Sequence, residues 1–264
     1  MPSGKVPLPR KDLLKWFGLA DKIRKRNVLV NQELARLVSC LESHGIDYIV
    51  VKGQTVGASY PKPWLRQPGD IDFLIRDSYT SVRDSISSLL DVALPKQIIE
   101  KEAVFKKNEV LFELHTDLTL FGSKANQRFW DELIAQSWAE HCCVEVDGTT
   151  VRTLPPTLNV AYVFIHLFFH FIREDVGLRQ FCDWAVLLHA YGKAIDRDRL
   201  AEILKKLDML NAYRAFGSIL TDELGLSEAD FPFPIGDKDR RWKKRILADL
   251  FGSGCSGVLN RKAL

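Results

Sequence analysis

The run Gly69-Asp70-Ile71-Asp72-Phe73-Leu74-Ile75 puts two carboxylates, two positions apart, at the head of an otherwise apolar segment. Apolar residues bounded by Pro68-Gly69 read as a strand over Asp70 to Ile75. Its period of two places Asp70 and Asp72 on one face and turns Ile71 into the core behind them. Two carboxylates on one spot repel unless a cation lies between them. Mg²⁺ or Mn²⁺, which take hard oxygen ligands and keep positions open for water and phosphate, is the expected occupant. The plain alternative for an Asp-x-Asp is an exposed strand edge with two solvated acids.

The surrounding chain alternates elements up to about residue 153 and then changes character. A helix is expected from about Leu13 to Ser43, where Leu34, Leu37, Val38 and Leu41 recur at helical spacing and Gly45 supplies a stop. Asp47 to Val51 reads as a short buried strand, followed by a turn or short helix to Tyr60 and a proline-punctuated loop from Pro61 to Gly69. A helix capped by Ser78 is expected to Leu90. Ala103–Lys107 and Val110–Thr116 read as a hairpin turning at Asn108-Glu109, and Cys142–Val151 as another turning at Asp147-Gly148. Between the two hairpins, Asn126 to Ala139 looks helical. After Leu154-Pro155-Pro156, helical patterns run over Thr157–Ile172, Leu178–Tyr191, Asp198–Leu207, Met209–Leu224 and Asp239–Leu250. This divides the chain into an α/β part, residues 1–153, and a helical part, residues 154–264, with a glycine- and serine-rich, mobile end at Gly252–Gly257.

Further chemistry clusters around the acidic strand. Lys52-Gly53-Gln54 lies where the Asp47–Val51 strand ends, and a glycine there lets backbone N–H groups approach a phosphate. In Phe112-Glu113-Leu114-His115, Glu113 and His115 share one strand face. Glu113 is positioned to add a third carboxylate to a two-metal site, and His115 to touch substrate or steer Glu113. His166 and His170 share a helix face, but the intervening Leu-Phe-Phe lacks the glutamate of a zinc protease. One of the two is expected in the core, with His170 toward the cleft. Arg179 and Asp183, also four apart, suit a local ion pair. Lys205-Lys206 and the basic run from Arg240 to Arg245 read as solvated faces, with RNA as the alternative partner.

The ordered set Ile49-Val50-Val51-Lys52-Gly53, Tyr60-Pro61-x-Pro63, Arg66-x-x-Gly69-Asp70-Ile71-Asp72-Phe73-Leu74-Ile75 and Phe112-Glu113-Leu114-His115 resembles the uncharacterised bacterial nucleotidyltransferase family of the polymerase-β-like superfamily. His166-x-x-x-His170 and Gly177-Leu178-Arg179-Gln180-x-x-Asp183 continue the resemblance, which covers roughly residues 30 to 215. It implies an α+β fold: a minimal nucleotidyltransferase mixed sheet flanked by helices, then an all-helical half. It also implies Mg²⁺- or Mn²⁺-dependent transfer of a nucleoside monophosphate from an NTP, with ATP expected, to an acceptor hydroxyl on a small molecule, protein or RNA. By position, Asp70, Asp72 and Glu113 correspond to the metal-binding and catalytic acids and Gly53 to the phosphate-turn glycine. Lys52, Gln54, Arg66, His115, His170, Arg179 and Asp183 are the expected nucleotide-binding residues, with Asp183 holding Arg179. The superfamily's turn is usually Gly-Ser, whereas Gln54 follows Gly53 here; a catalytically silent nucleotide- or partner-binding protein is the alternative this favours, and a toxin-like enzyme acting on tRNA or protein is another.

Bulk properties fit this reading. The 264 residues carry a formal net charge of +3, too even a balance for a dedicated nucleic-acid coat. Asn159–Ile172 is too short and too polar to span a bilayer. Met1 to Arg10 lacks a leader's apolar core. Five cysteines without metal-ligand or disulfide spacing point to reduced thiols and a cytoplasmic setting, with no membrane partner.

Overall fold

In the computed structural model, which describes residues 9–98, 101–173 and 176–252, the acidic strand is the second of four. β1 (Tyr48–Val51) pairs antiparallel with β2 (Ile71–Ile75), β2 pairs parallel with β4 (Val110–His115), and β4 pairs antiparallel with β3 (Glu102–Lys107), giving the order β1-β2-β4-β3. This is the expected mixed sheet, with the short α2 (Gly53–Gly57) following β1. Asp70 sits one residue ahead of β2 rather than within it.

Alternation along these strands sorts the side chains onto two faces. Tyr48 and Val50, Ile71, Phe73 and Ile75, and Phe112 and Leu114 pack in one buried cluster with Val30, Leu34, Leu37, Val38 and Leu41 of α1 (Arg10–Ser43) and Val82, Ile86 and Leu90 of α3 (Tyr79–Leu90). Ile49, Val51 and Leu74 join the other cluster, with Phe164, Leu167, Phe181 and Trp184 of the helical half. The second face of the sheet and the helices after residue 153 therefore share one core. Burying a large apolar side chain contributes about 1.5–3 kcal/mol, so that shared core fixes the helices against the strand face bearing the acids.

The helical half comprises α5 (Pro156–Arg173), α6 (Leu178–Tyr191), α7 (Arg197–Lys206), α8 (Leu210–Asp222), a short α9 (Asp237–Arg240) and α10 (Lys243–Gly252). The single helix expected over Asp239–Leu250 is thus two pieces. Arg240 is tied to the Ile235 carbonyl and to Asp222, which holds α9 against α8. Between the halves, α4 (Lys124–Glu140) precedes a hairpin of β5 (Cys142–Val146) and β6 (Thr149–Thr153), turning at Asp147-Gly148 as expected. Ser78 occupies the N-cap position of α3, but its hydroxyl donates to Ser81 Oγ at 3.0 Å and caps no backbone N–H. Among the described residues no helix is long and apolar enough to cross a membrane. Cys40, Cys142, Cys143 and Cys182 are free thiols. The expected mobile end lies, beyond Gly252, outside the described residues.

Candidate active site

Parallel pairing of β2 with β4 sets Asp72 directly beside Glu113. His115, one side chain further along the same face of β4, is fully buried behind them. Its Nε2 lies 2.9 Å from Asp72 Oδ1 and 3.6 Å from Glu113 Oε2, and its Nδ1 lies 3.1 Å from Glu102 Oε2 on β3. Asp72, Glu113 and His115 offer ligand atoms all within 4.8 Å of one another. His115 does not line the cavity; it hydrogen-bonds Asp72 from behind, with Glu113 just beyond hydrogen-bond reach.

The electrostatics follow from burial and crowding. Burial alone would raise the Asp72 carboxyl, but the Lys52 ammonium and His115 hold it far below the usual carboxylate range. Glu113 is pushed the other way, to about 9, by burial and by the neighbouring charges of Asp72 and Asp70. The pair carries one negative charge easily and a second only at a cost.

Lys52 enters this cluster from the end of β1. Its Nζ lies 2.8 Å from Asp72 Oδ1 and donates to His166 Nε2 at 2.8 Å. To reach there the backbone takes φ 54° and ψ −146°, a region that costs a non-glycine residue about 1–3 kcal/mol. Gly53 follows at φ 42°, where an added Cβ would sit 3.1 Å from the Asp70 carbonyl oxygen, so both conformation and close approach demand glycine there. Burial and the adjacent Lys52 charge keep His166 neutral, its pKa well below the ordinary value. His170 Nε2 lies 3.0 Å from His166 Nε2.

The far wall is built around Arg66. Its Nε and Nη2 donate to Asp183 Oδ1 and Oδ2 at 2.8 and 2.7 Å, and Tyr60 donates to Asp183 Oδ1 at 2.7 Å. Arg66 is 6% exposed, and its Nη1 has no protein partner. Asn27 of α1 pins the loop by donating to the Trp64 and Arg66 carbonyls at 3.1 and 2.8 Å. Arg179 donates to the Gln67 carbonyl at 3.2 Å and passes close to Gly69.

These groups converge on a cavity of about 370 Å³. Of the residues expected from sequence, Lys52, Gly53, Arg66, Asp70, Asp72, Glu113, His170, Arg179 and Asp183 line it. Gln54 does not. Its amide is turned toward α1, donating to Asn27 Oδ1 at 3.3 Å and to Asn31 Oδ1, so the expected contact with phosphate is not made by this side chain. Asp183 holds Arg66 rather than Arg179: an arginine fork meeting a carboxylate bidentately, with a tyrosine on the same oxygen, outweighs a loose i,i+4 pair. Tyr60, His166, Lys101 and Glu102 belong to the site surroundings without having been singled out for it. Glu102 was within reach of the sequence, because a two-residue turn at Asn108-Glu109 pairs it with His115 by counting back along the hairpin.

The sequence profile described as "Uncharacterised nucleotidyltransferase" matches residues 4–222. No curated protein matches. Among solved structures, the solution structure of the antibiotic-resistance factor ANT(2'')-Ia is 13% identical, with 74% of this chain and 96% of that one covered and a TM-score of 0.45. The crystal structure of ANT(2")-Ia in complex with adenylyl-2"-tobramycin is 10% identical, covering 67% and 96%, at 0.47. An antigenic nucleotidyltransferase-like protein from Paracoccidioides brasiliensis is 12% identical, covering 81% and 97%, at 0.44. With the profile spanning most of its length, the chain belongs to the uncharacterised nucleotidyltransferase family.

Proposed function

We propose that this protein transfers a nucleoside monophosphate from an NTP, ATP by preference, to an acceptor hydroxyl, using a divalent metal ion at Asp70, Asp72 and Glu113. The observation that carries the reading is the Asp72–Glu113 pair on adjacent parallel strands, backed by His115 and facing a cavity with Arg66 and Arg179 on its walls. The donor set fits a metal. Burial and the adjacent Asp72 and Asp70 charges push the Glu113 carboxyl up, a strain that a cation relieves, and Asp70 lines the same cavity. A divalent ion bound there supplies charge neutralisation for the triphosphate and for the in-line transition state.

The chain's own groups do the rest. His115 fixes the orientation of Asp72 from behind. Arg66, its fork locked by Asp183 and Tyr60, sets a fixed positive charge in the wall for the phosphates, and Arg179 adds a second guanidinium. Gly53 allows a phosphate to approach the backbone. Glu113, once deprotonated, completes the metal site or takes the proton of the attacking hydroxyl. A panel of α-labelled NTPs offered with Mg²⁺ or Mn²⁺ and a cell extract, separated by gel and thin-layer chromatography, tests this reading and sorts the acceptor into small molecule, protein or RNA. Label should move from at least one NTP, stop on chelation, and be lost in Asp72→Asn. Tight nucleotide binding with no metal-dependent transfer from any NTP would instead identify a silent nucleotide-binding protein.

A further inference from the structure

Asp72 has one oxygen already in use. Its Oδ1 has Lys52 Nζ at 2.8 Å and His115 Nε2 at 2.9 Å, and a carboxylate oxygen has about two lone-pair directions to offer. Lys52 is not a passing surface lysine. It is 15% exposed at the side chain, held on its other side by His166 at 2.8 Å, and carried on a backbone conformation that a lysine adopts only at a cost. A pair of catalytic metal ions about 3.5–4 Å apart needs a carboxylate that gives an oxygen to each. Asp72 stands beside Glu113 and two positions after Asp70, and with Oδ1 engaged its Oδ2 is the oxygen left for a metal.

We infer that the Lys52 ammonium is a resident cation of this acidic cluster, standing where a second divalent ion would otherwise bridge Asp72, so that the site takes a single divalent ion per chain. The inference rests on the metal-dependent reading above and changes the two-metal arrangement expected from sequence. Lys52 then acts as a positioning residue. It fixes Asp72 Oδ1 and leaves Oδ2, Asp70 and Glu113 to the one ion, with His166 on the ammonium's other side.

Counting bound Mn²⁺ tests this without reference to turnover. Free Mn²⁺ is followed by electron paramagnetic resonance while the full chain, saturated with one equivalent of a non-hydrolysable ATP analogue, is titrated. One Mn²⁺ should be bound per complex in the wild type, and a second should appear in Lys52→Met. Two ions in the wild type would overturn the role given to Lys52 and leave the metal-dependent reading intact. One ion held no more tightly than by the analogue alone, and equally in Asp72→Asn, would overturn that reading and this inference with it. A Lys52→Met chain with wild-type circular dichroism that still binds one ion would also contradict the inference. The wild-type count decides between one ion and two even if the variant does not fold.

Discussion

Glu113 carries the clearest consequence at the scale of single residues. Its carboxyl is raised from 4.5 in the unfolded chain to about 9 in the folded one, so the metal-free fold prefers the protonated group. The stability this contributes is complete below pH 4.5 and is lost as pH rises toward 9. Asp72 is shifted the other way, so its contribution is lost only in acid, below that window. Denaturant unfolding of metal-free protein from pH 5 to 9 should therefore show stability falling with pH, and Glu113→Gln should flatten the fall; an unchanged slope would mean that Glu113 does not share its proton in the fold. Asp183 gives a second test. Removing it strands a buried guanidinium, so Asp183→Ala should cost about 3–5 kcal/mol in urea unfolding, whereas Tyr60→Phe, which removes one hydrogen bond to the same carboxylate, should cost about 1 kcal/mol. Equal costs would deny Asp183 its place as the arginine's counter-ion. Neither partnership was legible in the sequence. Arg66 and Asp183 are 117 positions apart, while the nearer Arg179 has the helical spacing of a pair. Gln54 misled for a related reason: its position in the turn suits phosphate, but Asn27 and Asn31 of α1 claim its amide.

Elements were more legible than partnerships, because periodicity reports which face is buried. Alternation in the strand ending at His115 was enough to place Glu113 and His115 on one face, whereas the parallel register that sets Asp72 beside Glu113 comes from the fold. Periodicity says less about where a helix stops, which is why α9 and α10 read as one. The β3–β4 turn adds information that a pattern of apolar residues does not contain. Both Asn108 and Glu109 have positive φ, 47° and 66°, the geometry of a two-residue turn that favours Asn-Gly. Asparagine tolerates that conformation and glutamate does not, so Glu109→Gly should raise stability by about 1 kcal/mol in thermal or denaturant unfolding; Arg26 would still find the residue's carbonyl. A loss of stability would show that the side chain contributes something other than strain. Gly217 in α8 is the opposite case. A Cβ there would collide with the ring of Phe231, so Gly217→Ala, normally favourable in a helix, should destabilise by about 1–3 kcal/mol through overpacking.

For the whole molecule, the two halves meet along the face of the sheet that bears the acids. Ile49, Val51 and Leu74 belong to the same core as Phe164 and Trp184, and Arg66 from the loop before β2 grips Asp183 on α6. Helices after residue 153 thus supply one wall of the cavity, through His166, His170 and Arg179, and the strands supply the floor. The change of character at Leu154-Pro155-Pro156 was visible in the sequence, whereas the continuity of the core across it was not, since apolar residues do not announce their partners. The central claim is that this cavity performs metal-dependent nucleotidyl transfer at Asp72 and Glu113. Its most direct measurement is pyrophosphate release from ATP in the presence of Mn²⁺ and acceptor-containing extract, comparing wild type with Asp72→Asn and Glu113→Gln at matched folded concentration. Release that is abolished by chelation and lowered at least about 100-fold in both variants is the predicted result; release at equal rates in all three proteins would contradict it.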